Sequence, residues 1–214
     1  MTFPYRFCHL GLRFLAPLLM REREVRGLEN VPLCGPVIFV ANHTCYWDPI
    51  VLLAFVPRQI FFMSKAEMFR YPFVGWLFRR LEVFGVERGS PDLHSIRHAV
   101  EILNRGDPVG VYPQGTRAPL PEGQTHPAKG GVLAIAKRSG APLIPVAVSG
   151  LETLFLRRFP WLGRPAVRVT FGPPFRIEDL QAPAGRENRE AVLEALMERI
   201  TKLLPEQSRP GGQE

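Results

Sequence analysis

Residues capable of acid–base chemistry lie in the stretch Asn42–Pro49, which reads NHTCYWDP and separates two apolar runs. Within it, His43 precedes Asp48 by five positions. A neutral imidazole can take a proton from a hydroxyl group, and a carboxylate at its other nitrogen fixes the tautomer and stabilises the imidazolium. Side chains five positions apart point about 140° away from each other on a continuous helix. The two groups can therefore meet only where a loop enters a helix, and Asp48-Pro49 has the residue types of such a junction.

A structural interpretation of this stretch remains open, in which Asp48 occupies the N-cap of a helix and His43 fills a turn. No protein nucleophile for a hydrolytic triad is evident. Ser149 lies in VAVSG, with Ala147 where a nucleophile elbow has its first glycine, and nothing around Cys45 specifically activates a thiolate. If the pair is catalytic, the substrate has to supply the attacking hydroxyl, and a hydrolase is the weaker interpretation.

Candidate phosphate ligands follow other apolar runs. Lys65 lies in SKAEMF, Arg88 lies in FGVERGS, and the segment 113–117 reads PQGTR. Backbone N–H groups, a hydroxyl and a planar guanidinium are all donors suited to a phosphate. Each cation alone is also compatible with a solvated surface charge, so it is their shared position after predicted strands that indicates a site.

Six apolar runs predict buried strands, at 36–41, 59–63, 82–86, 108–112, 142–148 and 166–171. Helices are predicted at 90–106, where Ser90 and Pro91 suit the start, at 126–140, which ends at Gly140, and at 186–204. The last helix has a predicted apolar stripe of Val192, Leu196, Ile200 and Leu203. This alternation predicts an α/β fold, a single layered domain over 23–205 with a largely parallel sheet flanked by helices. Active sites in such sheets lie beyond the carboxyl ends of the strands, where both NHTCYWDP and PQGTR are expected.

The N-terminal segment 1–22 predicts a membrane-surface helix, amphipathic over Phe3–Met20. It is too short and too charged to span a bilayer comfortably, and it lacks the cleavage site of a secretory signal. We expect Arg6, His9 and Arg13 to face lipid phosphates while the Phe and Leu side chains face the acyl boundary. Packing of the helix on the protein's own core is the alternative. Residues 206–214 are expected to form a flexible tail.

Composition limits the partners. The chain has 214 residues, a formal net charge of +7 and a pI near 9.8, which favours anionic partners such as phosphorylated substrates, anionic lipids or nucleic acid. No nucleic-acid recognition motif is evident, so nucleic acid is not expected. The three cysteines have no CxxC spacing, so neither a disulfide framework nor a structural zinc site is expected. They fit a reducing compartment.

The combination of these motifs resembles the glycerophospholipid acyltransferases, particularly the lysophosphatidic acid acyltransferases. NHTCYWD matches the family's NHxxxxD block, VFGVERGS is similar to its second block, YPQGTR to its PEGTR block, and APLIPVAVSG to its fourth block. The resemblance covers about residues 23–172, and the joint occurrence in order is what makes it specific. One departure is Gln114, which stands where the family usually has Glu. The amide keeps a carbonyl acceptor but cannot form an ion pair, which leaves the acceptor preference open.

The resemblance implies that His43 is the general base for a lysophospholipid hydroxyl, oriented by Asp48. The hydroxyl attacks an acyl thioester of coenzyme A or acyl carrier protein, and Gly115, Thr116 and Arg117 hold the acceptor's phosphate with Gln114, Arg88 and Lys65. No metal or cofactor is expected, since thiolate is a good leaving group. The expected location is the cytoplasmic face of the cell membrane, peripheral or monotopic. Two alternatives remain: the same chemistry on glycerol-3-phosphate, another lysophospholipid or a lyso-aminolipid, and a non-catalytic peripheral lipid-binding protein.

Overall fold

A seven-stranded sheet with helices on both faces forms the protein. The computed structural model describes residues 3–45, 47–86, 93–115, 128–151, 165–180 and 189–206. The strands are β1 (Glu22–Arg26), β2 (Ile38–Ala41), β3 (Phe61–Lys65), β4 (Phe84–Val86), β5 (Val109–Val111), β6 (Leu143–Ser149) and β7 (Ala166–Phe171). The helices are α1 (Phe3–Leu19), α2 (Asp48–Phe55), α3 (Pro72–Arg80), α4 (Leu93–Asn104), α5 (Gly131–Ser139) and α6 (Arg189–Thr201).

The sheet is mostly parallel, as predicted. Its strand order is β1-β7-β6-β2-β5-β3-β4. Neighbours from β6 to β4 pair in parallel, whereas β7 pairs antiparallel with β6 and carries β1 parallel to itself. All six predicted strands are present, with ends moved by at most two residues. The edge strand β1 was not predicted because its sequence, EREVR, is exposed or only half-buried and has no apolar run.

Side chains of the central strands alternate between two hydrophobic layers, as the strand geometry requires. Val37, Phe39 and Ala41 face a layer that includes α1, α2 and the end of α3. Ile38 and Val40 face the opposite layer, which includes α4, α5 and α6. Because both faces are covered, β2 and β6 read as continuous apolar runs, and their burial is complete.

The predicted helices on the second layer are present with shifted ends. Residues 87–92, including the predicted cap Ser90 and Pro91, lie outside the described residues. Helix α5 ends at Gly140, which has a left-handed φ of 63° and accommodates the C-cap, as expected. In α6 the buried side chains include Leu193, Leu196 and Ile200. The predicted Val192 is half-buried and packs against the same layer. The predicted tail beyond Glu206 is outside the described residues.

Helix α1 packs one face on the protein and exposes apolar side chains on the other, which differs in part from the prediction. Tyr5 and His9 are buried against the protein, and His9 Nδ1 lies 2.6 Å from the carbonyl oxygen of Leu53 in α2. The prediction that His9 faces lipid phosphates is therefore wrong, because the imidazole is used to dock the helix. Arg6 and Arg13 are exposed. The exposed face carries an apolar stripe of Phe3, Phe7, Leu10, Phe14 and Leu18.

Within the described ranges, α1 included, no helix has the length and apolar content needed to cross a bilayer.

Candidate active site

His43 and Asp48 meet at the carboxyl end of β2. His43 Nδ1 lies 2.8 Å from Asp48 Oδ2, and the side chains are 10% and 0% exposed. The chain leaves β2 as a loop and enters α2 at Asp48, so the intervening residues do not form the continuous helix that would separate the pair. An ionised carboxylate can only accept, so Nδ1 carries the hydrogen and Nε2 presents the lone pair of a base.

Asp48 organises the loop before it as well as the imidazole. Its Oδ2 accepts the backbone N–H of Thr44 at 2.7 Å and that of Cys45 at 2.9 Å, and Oδ1 lies 3.3 Å from the Thr44 hydroxyl. Helix α2 begins at Asp48 itself with Trp47 at the N-cap position, and no side chain caps it. The prediction of Asp48 as the N-cap residue is thus corrected by one position. Its carboxylate holds the loop against the positive end of the helix dipole, where a negative charge is stabilised.

Asn42 and Gln114 fix the backbone on which His43 is carried. The Asn42 side chain bridges β2 to β6, since Nδ2 donates to the Val148 carbonyl and Oδ1 accepts the Val148 N–H, both at 2.8 Å. Gln114 Oε1 accepts the His43 backbone N–H at 3.1 Å. The departure from Glu therefore retains a hydrogen bond between two loops. Gln114 was predicted as a phosphate ligand, and the structure gives its carbonyl oxygen a positioning contact to His43.

Tyr112 stacks on the imidazole of His43. The ring centroids are 4.1 Å apart with an interplanar angle of 23°, and the ring of Phe62 stacks on Tyr112 with centroids 6.1 Å apart. Desolvation by burial, with a smaller contribution from the charge of Asp48, raises the pKa of Tyr112 well above its ordinary value. The phenol is therefore neutral in the folded protein. Sequence reasoning missed Tyr112, although it directly follows β5 and so lies at the edge where a site was expected.

Besides Gln114, two of the predicted phosphate-binding residues lie at the same edge of the sheet as the pair. Gly115 follows β5 with a left-handed φ of 65°, and Lys65 ends β3, where it forms an ion pair with Glu67. Lys129 was not predicted. Its side chain packs over Gly115, with Cδ 3.3 Å from the position that a Cβ would occupy. Arg88, Thr116 and Arg117 lie outside the described residues, so their role as phosphate ligands stays a prediction.

Metal ligation has no candidate in the described part of the chain, where no group of three or more His, Cys, Asp or Glu side chains could hold an ion. Cys45 is buried beside the pair, but its backbone N–H, bound to Asp48, is its evident contribution to the loop. The geometry therefore presents a base, its orienting carboxylate and nearby cations at one edge of the sheet. That arrangement can deprotonate a hydroxyl of an anionic substrate.

Comparison with known proteins finds the same relationship at three levels. Residues 22–149 match the family described as Acyltransferase. A 1-acyl-sn-glycerol-3-phosphate acyltransferase of Bacillus subtilis is 30% identical over 203 residues, which cover 93% of this chain and 96% of that protein. A lyso-ornithine lipid O-acyltransferase of Pseudomonas aeruginosa is 34% identical over 127 residues, 59% of this chain and 47% of that protein. The crystal structure of the 1-acyl-sn-glycerophosphate acyltransferase PlsC from Thermotoga maritima superposes with a TM-score of 0.68 at 26% identity, covering 92% of this chain and 77% of that one.

Proposed function

The chain belongs to the Acyltransferase family, and on that premise we propose that it acylates lysophosphatidic acid to phosphatidic acid, with an acyl thioester as donor. The observation that carries the proposal is the contact of 2.8 Å between His43 Nδ1 and Asp48 Oδ2 at the carboxyl edge of the sheet. The relatives named 1-acyl-sn-glycerol-3-phosphate acyltransferase support this choice of acceptor.

The proposed reaction passes a single proton through His43. Nε2 takes the proton of the acceptor's free hydroxyl as its oxygen attacks the thioester carbonyl carbon. The Asp48 carboxylate stabilises the imidazolium that forms, as in the template of the hydrolytic triad. The tetrahedral intermediate then collapses, the carbon–sulfur bond breaks, and the imidazolium returns the proton to the leaving thiolate. The products are phosphatidic acid and a free thiol of coenzyme A or acyl carrier protein.

The acceptor's phosphate is proposed to lie among the groups that follow β5. Gly115, Thr116 and Arg117 supply N–H, hydroxyl and guanidinium donors, and Lys65 and Arg88 add positive charge. Lys129 joins this set because its side chain lies over Gly115. No metal or cofactor is part of the proposal, because thiolate leaves readily without one.

We also propose that the protein works on the cytoplasmic face of a membrane as a peripheral or monotopic enzyme. The stripe of Phe3, Phe7, Leu10, Phe14 and Leu18 is exposed on α1, opposite the face that packs on α2. Apolar side chains on such a helix partition into the acyl boundary, while Arg6 and Arg13, also exposed, can contact anionic headgroups. The lipid acceptor would then reach the site from the membrane surface.

Substitution of His43 tests the reaction. We expect His43→Ala to lower kcat for acyl transfer to lysophosphatidate by about 10²–10⁴-fold, the usual contribution of a general base. Asp48→Asn should also lower kcat strongly, because it replaces the carboxylate with a neutral amide that no longer stabilises the imidazolium. Transfer from a radiolabelled thioester measures both variants, and circular dichroism checks that they fold. A folded His43→Ala variant with unchanged activity would exclude the mechanism.

A second acceptor class is favoured by one observation, the 34% identity to a lyso-ornithine lipid O-acyltransferase. The neutral Gln114 in place of Glu is consistent with a changed acceptor. Rates of transfer from one acyl thioester to lysophosphatidate, glycerol-3-phosphate and lyso-ornithine lipid show which acceptor class the protein prefers. Arg117→Ala should raise KM for lysophosphatidate more than KM for the thioester. An equal effect on both values would remove its proposed contact with phosphate.

A further inference from the structure

Helix α3 presents a second exposed aromatic face on the same side of the sheet as α1. Phe73 is 73% exposed and Trp76 50%, and Tyr71, directly before the helix, is also exposed. Leu81, just beyond its end, is buried, and Leu77 packs against the same hydrophobic layer as Tyr5 of α1. Large exposed aromatic side chains on one face of an amphipathic helix mark a surface for a partner or a membrane.

Helical geometry places Phe73, Trp76 and Arg80 on one stripe. At about 100° per residue they fall within an arc of about 60°, whereas Gly75, the buried residue of the helix, lies on its other side. The rings of Phe73 and Trp76 stack with centroids 6.2 Å apart, and the Arg80 guanidinium lies 5.6 Å from the Trp76 ring. The aromatic face is therefore continuous and is bordered by a cation.

The charged residues of the segment 70–80 are all basic. Arg79 and Arg80 end the helix, Arg70 precedes it, and all three are exposed. The helix sequence, PFVGWLFRR, contains no acidic residue. Tryptophan and tyrosine prefer the headgroup level of a bilayer, and arginine beside them can bind anionic headgroups. Aromatic side chains with flanking cations thus complement an anionic lipid surface.

The position of α3 matches that of the candidate site. Strand β3 ends at Lys65, at the same edge of the sheet as His43, and α3 begins after one short 3-10 helix (Ala66–Arg70). The C-terminal end of α1 leads to this edge too. The end of β6 pairs with the start of β7, and the start of β7 pairs with Glu22, the first residue of β1. The chain therefore passes from α1 into β1 at the edge where β6 ends. Trp47, in the loop between His43 and α2, is also partly exposed.

We propose that Tyr71, Phe73 and Trp76, with Arg70, Arg79 and Arg80, form a second lipid-contacting element that binds an anionic bilayer surface together with the α1 stripe. This inference rests on the proposed function, because a lipid substrate has to reach the edge at which α3 begins. Two separated contacts would fix the orientation of the sheet edge relative to the bilayer. With α1 as the only contact, the protein could still rotate about the axis of that helix.

Vesicle binding of the full chain tests the proposal. The variants are Phe73→Ser/Trp76→Ser and Arg79→Gln/Arg80→Gln, and the matched control is Leu93→Ser, since Leu93 is 49% exposed on α4 on the other side of the sheet. The probes are vesicles of phosphatidylcholine with and without phosphatidylglycerol. We expect the aromatic variant to weaken binding to both vesicles at least about fivefold. The arginine variant should weaken binding about tenfold on anionic vesicles alone.

Activity in solution separates this proposal from the proposed function. With short-chain, monomeric donor and acceptor and no vesicles, both α3 variants should transfer at the wild-type rate. Vesicle binding equal to wild type in both variants would overturn the lipid contact while leaving the reaction intact. Self-association of the wild type that the aromatic variant abolishes in analytical ultracentrifugation would overturn it too, because a second copy would then cover the face. Absence of transfer in a vesicle-binding wild type would contradict only the proposed function.

Discussion

At the scale of single residues, His43 is held by groups from two segments of the chain that lie far apart in the sequence. Asp48 holds Nδ1, Gln114 holds the backbone N–H, and the Tyr112 ring covers one face. These contacts come from α2 and from the end of β5. Each can be removed separately, so the contribution of orientation to catalysis can be measured contact by contact.

Tyr112 should affect kcat through its ring and not through its hydroxyl. An aromatic face stabilises a neighbouring cation, here the imidazolium of the proposed transfer, and it restricts the imidazole's rotation. We expect Tyr112→Leu to lower kcat about 3- to 30-fold, with little change in KM for either substrate. Tyr112→Phe should keep kcat and stability, because the Tyr112 hydroxyl has no hydrogen-bond partner among the described residues. Steady-state kinetics that show an equal loss in both variants would contradict this role of the ring.

Gln114 offers a second test at the same scale. Gln114→Leu removes the acceptor for the His43 N–H and should lower both kcat and the free energy of unfolding, the latter by about 1–3 kcal/mol if the N–H is left unsatisfied. Gln114→Glu keeps a carbonyl-type oxygen at that position and should retain most of the activity. Kinetics and urea unfolding of the two variants check the prediction. Wild-type values for Gln114→Leu would show that the contact has no consequence.

At the scale of elements, α1 is joined to the rest of the protein by buried polar contacts as well as by apolar packing. The Tyr5 hydroxyl donates to the Arg58 carbonyl at 3.2 Å and accepts the Ile60 N–H at 3.1 Å. His9 adds the contact to Leu53. These contacts lie at the edge opposite the candidate site, so the N-terminal half of α1 is anchored there while its stripe stays exposed.

The docking of α1 should make stability sensitive to alkaline pH. Burial raises the pKa of Tyr5 above its ordinary value of 10.0, and the Ile60 N–H opposes this only in part. Because the folded-state pKa is raised, the unfolded chain loses its proton first. The stabilisation is complete below about pH 10 and is lost above it, at up to about 1.4 kcal/mol per pH unit.

Tyr5→Phe tests that pH dependence. At neutral pH the variant should be less stable by about 1–3 kcal/mol, because the Ile60 N–H loses its acceptor. Above about pH 10 the difference from wild type should shrink, since phenylalanine has no proton to lose. Tyr112 also has a raised pKa but is present in both proteins, so it cancels in the comparison. Urea unfolding at both pH values gives the result, and a difference that grows with pH would contradict it.

At the scale of the whole molecule, charge and apolar surface occur together. The formal net charge is +7, and five large apolar side chains are exposed in one stripe on α1. Neither feature alone specifies a membrane, because basic proteins bind many polyanions and single exposed apolar residues are common. Together they fit an anionic bilayer surface.

Phe7→Ser/Phe14→Ser should therefore weaken binding to vesicles at least about tenfold, given the apolar area removed. Transfer to a vesicle-embedded acceptor should fall with it, whereas transfer to a monomeric acceptor should not. Added salt should weaken the remaining binding, because it screens the basic side chains. Leu33→Ser is the control, since Leu33 is exposed in a loop outside α1. Co-sedimentation equal to wild type would contradict a lipid-facing stripe.

The sequence by itself predicted the α/β class, six of the strands, and His43 with Asp48 as a candidate pair at a loop that enters a helix. These features depend on local patterns: apolar runs bounded by turns, and a loop that enters a helix at Asp-Pro. The edge strand β1 has no such pattern, because a strand with one neighbour and little burial needs no apolar run. The buried orientation of His9 could not be predicted from the sequence either, since an imidazole can contact a phosphate or a carbonyl equally well.

Only the tertiary structure decided which groups complete the site. Tyr112, Gln114 and Lys129 reach His43 or Gly115 from segments distant in sequence, and Asn42 bridges to β6. Such contacts are set by the order of strands in the sheet, which no local pattern specifies. The physical reason is that a hydrogen bond or a ring contact depends on distances between atoms of different elements. Those distances exist only after the sheet has assembled.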